Sequence, residues 1–162
     1  MDAHSARGLA FAAGPTLAAA AIGSLAARRA PEIYRRLAKP AWAPPPGVFG
    51  PVWTVLYTAI GVAGWRLWTR RAGRKALGLH LAQLALNAAW TPAFFAARDR
   101  TAALAVVAAL DGALAAEIAV VARRDRAAAA LLAPYLGWSV FATALTASVG
   151  DPAGPAGRAT RR

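Results

Sequence analysis

Five long runs of apolar residues, nearly free of charge, constrain this 162-residue chain more than any other feature. They cover residues 8–27, 48–68, 76–97, 101–122 and 127–150. The hydrocarbon core of a bilayer is about 30 Å thick and needs about 20 apolar residues of helix to cross it. Charge enters the runs only as Arg66 near the end of the second and as Asp111 and Glu117 in the fourth. The expected fold is therefore all-α: one domain over residues 1–150, an integral membrane bundle of five transmembrane helices. Composition agrees, with 58% hydrophobic and 16% charged residues against about 45–50% and 25% in soluble domains. The remaining residues are too few for a soluble domain. The end of the chain, 151–162, is rich in Pro, Gly and Arg and reads as a disordered basic tail. A charged start before an Ala-rich run also fits a secretory signal peptide. Asp2 offsets Arg7 there and the uncharged run is long, so a retained first helix is the expectation.

The formal net charge is +12, which in a soluble protein would point to nucleic acid. Here the bases fall in short clusters between the apolar runs: Arg28-Arg29, Arg35-Arg36, Arg70-Arg71, Arg74-Lys75 and Arg123-Arg124. That placement suits lipid headgroups at the ends of spanning helices, and no nucleic-acid partner is expected. Charge does not set the orientation, because one face would carry eight Lys and Arg and the other ten, too even for the positive-inside rule. With no cysteine in the chain, disulfides, zinc-thiolate sites and cysteine nucleophiles are excluded.

The third run carries a stripe. His80, Gln83, Asn87, Trp90 and Phe94 follow one another at spacings of 3, 4, 3 and 4, which puts them on one helical face. At membrane depth an unpaired amide costs several kcal/mol, so Gln83 and Asn87 must face the bundle or a cavity. Two readings stay open: hydrogen bonding between helices, or orientation of a ligand in a mostly apolar pocket. His80 has no partner at metal-ligand spacing, so no metal site is expected. Phe49, Trp53 and Tyr57 share a face of the second run, and Tyr135, Trp138, Ala142 and Leu145 share one of the fifth. Pro92 and Pro134 permit local kinks. Asp111, near the middle of the fourth run, should face the bundle or a helix contact, since a carboxylate exposed to acyl chains is too costly. Glu117 could reach back to Arg123 or Arg124 at the interface. Between the first two runs, 28–47 is basic and then proline-rich. Such a stiff, Trp42-bearing segment reads either as a lid or as an interfacial connector with an aromatic anchor.

Three stretches carry a family resemblance. Lys39-Pro40-Ala41-Trp42-Ala43-Pro44-Pro45 with Val48-Phe49-Gly50-Pro51-Val52-Trp53-Thr54-Val55-Leu56-Tyr57 resembles the first loop and second helix of the translocator protein family (tryptophan-rich sensory protein, TspO/MBR). The run from Gln83 through Asn87, Trp90, Pro92 and Phe94 to Arg98 is similar to that family's third-helix signature. Pro134-Tyr135-Leu136-Gly137-Trp138 with Phe141-Ala142-Thr143 is similar to its fifth-helix motif. The resemblance implies a five-helix bundle, often a homodimer. It also implies a pocket, closed by the first loop, that takes porphyrins, synthetic isoquinoline or benzodiazepine ligands and, in some members, sterols. Carried over, Trp53, Asn87, Trp138, Ala142 and Leu145 would line the pocket, Trp42 would sit above it, and Gln83 is a neighbouring polar candidate. The chain departs from the pattern at Ala43, Gly47, Thr146, Asp111 and Glu117, and no base follows Tyr135 as the sterol-associated pattern requires.

The function so implied is binding of tetrapyrroles and related hydrophobic molecules for sensing, sequestration or transport, with no cofactor. The alternatives are a light-dependent porphyrin-degrading enzyme, with Trp53 and Trp138 as the reactive residues, and a structural membrane scaffold. No nucleophile, metal or acid/base constellation supports ordinary hydrolysis.

Overall fold

The computed structural model describes residues 2–150, and the basic tail expected at 151–162 lies outside the described residues. Helix α1 spans Ala3–Ala26, and the Asp2 carboxylate caps its first turn by accepting from the Ser5 amide at 2.8 Å. A 3₁₀ turn at Ala27–Arg29 leads into a short helix α2, Ala30–Arg36. Helix α3 runs Phe49–Thr69 and α4 runs Arg74–Thr91, followed by a π turn at Pro92–Ala96. Helices α5, Arg100–Val121, and α6, Arg126–Ser148, are capped by Asp99 and Asp125, whose side chains accept from Ala102 and Ala128. Among the described residues there is no strand.

The all-α expectation holds, with α1, α3, α4, α5 and α6 as the five long helices. Four stretches, Ala3–Arg36, Pro46–Thr69, Arg100–Ala122 and Arg126–Ser148, are long and apolar enough to cross a bilayer. Helix α4 is the fifth, shorter at 18 residues and made less apolar by the His80, Gln83 and Asn87 stripe. The helices close a ring in the order α1, α3, α6, α5, α4 and back to α1, so the consecutive helices α3 and α4 are not close neighbours. That order turns faces of α3, α4 and α6 towards a common interior.

Because lipid is as apolar as leucine, helix association in a membrane rests on close packing and hydrogen bonds rather than on the hydrophobic effect. The centre is filled by Leu56, Ile60, Leu84, Leu114, Leu132 and Tyr135. Small residues let α1 approach its neighbours. A Cβ on Gly64 would lie 2.7 Å from His80 Nε2 and 3.4 Å from the Ala12 Cα, and one on Gly8 would lie 2.6 Å from Trp68 Cδ1.

The segment between α1 and α3, expected to be a stiff loop, is helical in its first part. Residues 30–36 form a helix because Pro31 occupies its first turn, where a missing amide does no harm. Glu32 in the first turn and Arg35 and Arg36 in the last suit the helix dipole. The rest is fixed to the bundle. Tyr34 donates to the Pro44 carbonyl at 2.9 Å, and the Gly150 amide donates to the Ala38 carbonyl at 2.9 Å. Tyr34 meets Phe49 edge-on at 5.3 Å, and Trp42 meets Phe141 edge-on at 5.7 Å.

Candidate functional site

A cavity of about 1040 Å³ lies beneath this segment, at the upper end of the range of about 300–1,000 Å³ for small-molecule sites. Helix α3 contributes Phe49, Trp53, Tyr57 and Trp65, and α6 contributes Trp138, Phe141, Ala142 and Leu145. Trp90, Phe94 and Phe95 come from the end of α4 and the π turn, and Tyr34 comes from α2. The face on α1 is aliphatic and includes Leu9, Ala13, Thr16 and Leu17. No Asp, Glu, Lys, Arg or His lines the cavity.

The indoles of Trp53 and Trp138 thus face one cavity from two helices, as do Ala142 and Leu145. Trp53 stacks on Tyr57 at 5.2 Å and meets Tyr135 edge-on at 6.1 Å. Trp138 is flanked by Phe49 at 5.8 Å and Phe141 at 5.2 Å. Rings held by rings on both sides form a rigid apolar wall. Trp42 is half exposed and reaches this group from the outside, through Phe141.

The stripe on α4 divides. Trp90 and Phe94 line the cavity, but Asn87 and Gln83 do not. Asn87 stands behind the wall: Tyr57 donates its hydroxyl to Asn87 Oδ1 at 2.7 Å, and Asn87 Nδ2 donates to the Tyr135 hydroxyl at 2.8 Å. One amide therefore ties α3, α4 and α6 together. Gln83 is fully buried one turn away, its Nε2 at 3.5 Å from His80 Nδ1. The π turn follows the split, and both Phe94 and Phe95 on it line the cavity.

Two carboxylates are placed by tertiary contacts. Glu117 does not reach back to Arg123 or Arg124. It is fully buried and shares a 2.8 Å hydrogen bond with His80 Nδ1. The inward turn follows from position: Glu117 lies on the same face as the buried Leu110, Leu114 and Val121, which packs against α4. Asp111 faces α6, as its depth requires, and accepts from the Thr143 hydroxyl at 2.7 Å. Arg66 is engaged too, donating from Nε and Nη2 to the two oxygens of Asp125 at 3.0 and 2.9 Å. Among the described residues no group of three His, Cys, Asp or Glu could hold a metal ion.

The α1 wall escaped the sequence reading. Its residues carry no polar or aromatic stripe, and an alanine-rich helix of this kind does not reveal which face meets a ligand and which meets lipid. Trp65 and Tyr34 were equally silent, since neither extends a recognisable motif.

Fold and cavity together define a polytopic α-helical membrane protein with an apolar, aromatic-walled chamber. The chain belongs to the TspO/MBR family, whose sequence model matches residues 11–150. It is 44% identical over 117 residues to the Translocator protein of Homo sapiens, covering 69% of each chain. It is 40% identical over 114 residues to the Tryptophan-rich sensory protein of Cereibacter sphaeroides, covering 70% of this chain and 72% of that one. With the Tryptophan-rich protein TspO of Archaeoglobus fulgidus it shares 35% identity over 118 residues, 72% of this chain and 76% of the other.

Proposed function

We propose that the chain binds porphyrins and related flat hydrophobic molecules in this cavity, for sensing, sequestration or transport. The carrying observation is the ring-flanked wall formed by Phe49, Trp53, Trp138 and Phe141 around a cavity without a charged residue. Flat aromatic ligands stack on such walls, and a few hydroxyls at the margin supply orientation. The carboxylates of a porphyrin would stay at the mouth, where Arg28 and Arg29 are exposed beside the cavity residues Ala27 and Ala30. Titration of the purified protein with protoporphyrin IX, followed by tryptophan quenching, should saturate. Linear, non-saturable quenching by folded protein would remove the proposal.

A second reading, light-driven porphyrin breakdown, draws on Trp53 and Trp138 lining the same cavity. Phe at both positions keeps most of the ring area, so it should spare most of the binding and abolish breakdown under illumination. Undiminished breakdown in that double variant contradicts the enzymatic reading. A homodimer belongs to the same proposal and is tested by the mass of the detergent-solubilised particle.

A further inference from the structure

The cavity has two chemically distinct halves. Near the first loop it is aromatic, walled by Phe49, Trp53, Trp138 and Phe141. From there it continues along the seam between α1 and α3, where Leu9, Ala13, Leu17, Gly61 and Val62 line it and Trp65 is the one indole, at the Leu9 end. From Leu9 to Ser24 the whole cavity follows α1 for 15 residue steps, about 22 Å at 1.5 Å per residue, longer than a tetrapyrrole ring is wide. The hydroxyls in this half are spent on their own helices: Thr16 donates to the Ala12 carbonyl at 2.8 Å and Thr58 to the Thr54 carbonyl at 2.9 Å. Nothing there asks for a polar ligand group. The seam is also open sideways, since Leu9, Leu17 and Val62 are 50%, 67% and 45% exposed on a surface that faces acyl chains.

We infer that the cavity takes a two-part ligand, a flat ring system bearing a long alkyl or isoprenoid chain, with the ring in the aromatic half and the chain in the α1–α3 seam. The inference rests on the proposed binding of flat rings and adds to it the tail and its place. A single continuous cavity holds both parts in one molecule, and the lateral opening lets such a ligand arrive from the bilayer. Lipid solvates a hydrocarbon chain as well as the seam does, so the tail adds little affinity by itself, but the seated ring fixes where the tail leaves it, and a side chain filling the seam displaces one or the other. The signal lies instead in what happens when the seam is filled.

Gly61 supplies the test. It lines the seam, and a Cβ there would meet nothing within 4 Å. Gly61→Leu therefore fits without a clash at its Cβ and raises helix propensity. The probes are protoporphyrin IX and an analogue bearing a hexadecyl chain on the ring edge opposite its two carboxylates, titrated in the same nanodiscs against wild type, Gly61→Leu, Ala13→Leu on the opposite wall, and Gly112→Leu on the exposed face of α5 as a control. The expected result is about tenfold weaker binding of the alkylated porphyrin by both seam variants, the size of an overpacking penalty. The free porphyrin should change less than about twofold by the same scale, and Gly112→Leu should alter neither. If both probes bind every variant alike, bilayer lipid fills the seam and the inference is overturned while ring binding stands. Equal weakening of both probes also overturns it, because the seam would then hold the ring. If neither probe saturates wild type, the proposed function falls and the inference with it.

Discussion

Asn87→Leu removes the amide that joins three helices at nearly constant volume, so any cost comes from hydrogen bonding rather than from a cavity. Two bonds are lost, from Tyr57 at 2.7 Å and to Tyr135 at 2.8 Å. Hydrogen bonds between membrane helices contribute about 0.6–1.7 kcal/mol each, so the expected loss is about 1–3 kcal/mol. Tyr135 has no exposed surface, so its orphaned hydroxyl finds no solvent and the loss should fall in the upper part of that range. The same substitution in a Tyr57→Phe/Tyr135→Phe background strands nothing and should cost well under half as much. Unfolding in one detergent, followed by circular dichroism, gives both numbers. Porphyrin affinity should fall only a few-fold, through Tyr57, which lines the cavity and stacks on Trp53. The reasoning fails if the loss in wild type is below about 0.5 kcal/mol, or if it is the same in both backgrounds. Lost binding with unchanged stability would refute it as well, since the amide would then be meeting the ligand directly.

Three further outcomes follow from packing and charge. Glu117→Leu strands a fully buried His80 and should cost about 1–3 kcal/mol. Adding His80→Leu should recover part of that loss, and strictly additive melting shifts would show that the pair is not coupled. The Arg66 guanidinium hydrogen-bonded to Asp125 holds its carboxyl below the ordinary range, so this stabilisation is complete above the unfolded value of about 3.9. It is lost as pH falls through the lower folded value. Melting temperatures between neutral and strongly acid pH should therefore drop more steeply for wild type than for Asp125→Asn, and parallel curves would contradict the assignment. Gly64→Ala would place a methyl 2.7 Å from His80 Nε2 and should destabilise by about 1–3 kcal/mol, whereas Gly112→Ala, with nothing within 4 Å, should stabilise by up to about 1 kcal/mol. A neutral Gly64→Ala would mean that α3 can move away from His80 of α4 freely.

The five spans were legible in the chain because a bilayer imposes length and apolarity on each segment separately, and both are local properties. The inward face of α4 was legible for the same reason: Gln83 and Asn87 cannot meet lipid, so their spacing alone orients the helix. Asp111 followed from the same cost. Partners were a different matter. Whether Asn87 meets a ligand or two tyrosines depends on Tyr57 and Tyr135, which lie 30 and 48 residues away. Glu117 had bases close by in sequence, yet it pairs with His80 because α5 turns the face carrying Leu110 and Leu114 towards α4.

The sequence by itself determined that this chain is a five-helix membrane bundle and which faces of α3, α4 and α6 turn inward, because the solvent tests every residue of a spanning helix individually. The tertiary structure alone decided the order of the helices around the ring, the return of α1 to close the cavity with a largely aliphatic face, and the division of the α4 stripe between wall and core. Those outcomes depend on which small residues allow close approach and which polar groups find each other across the bundle, and a linear pattern carries neither.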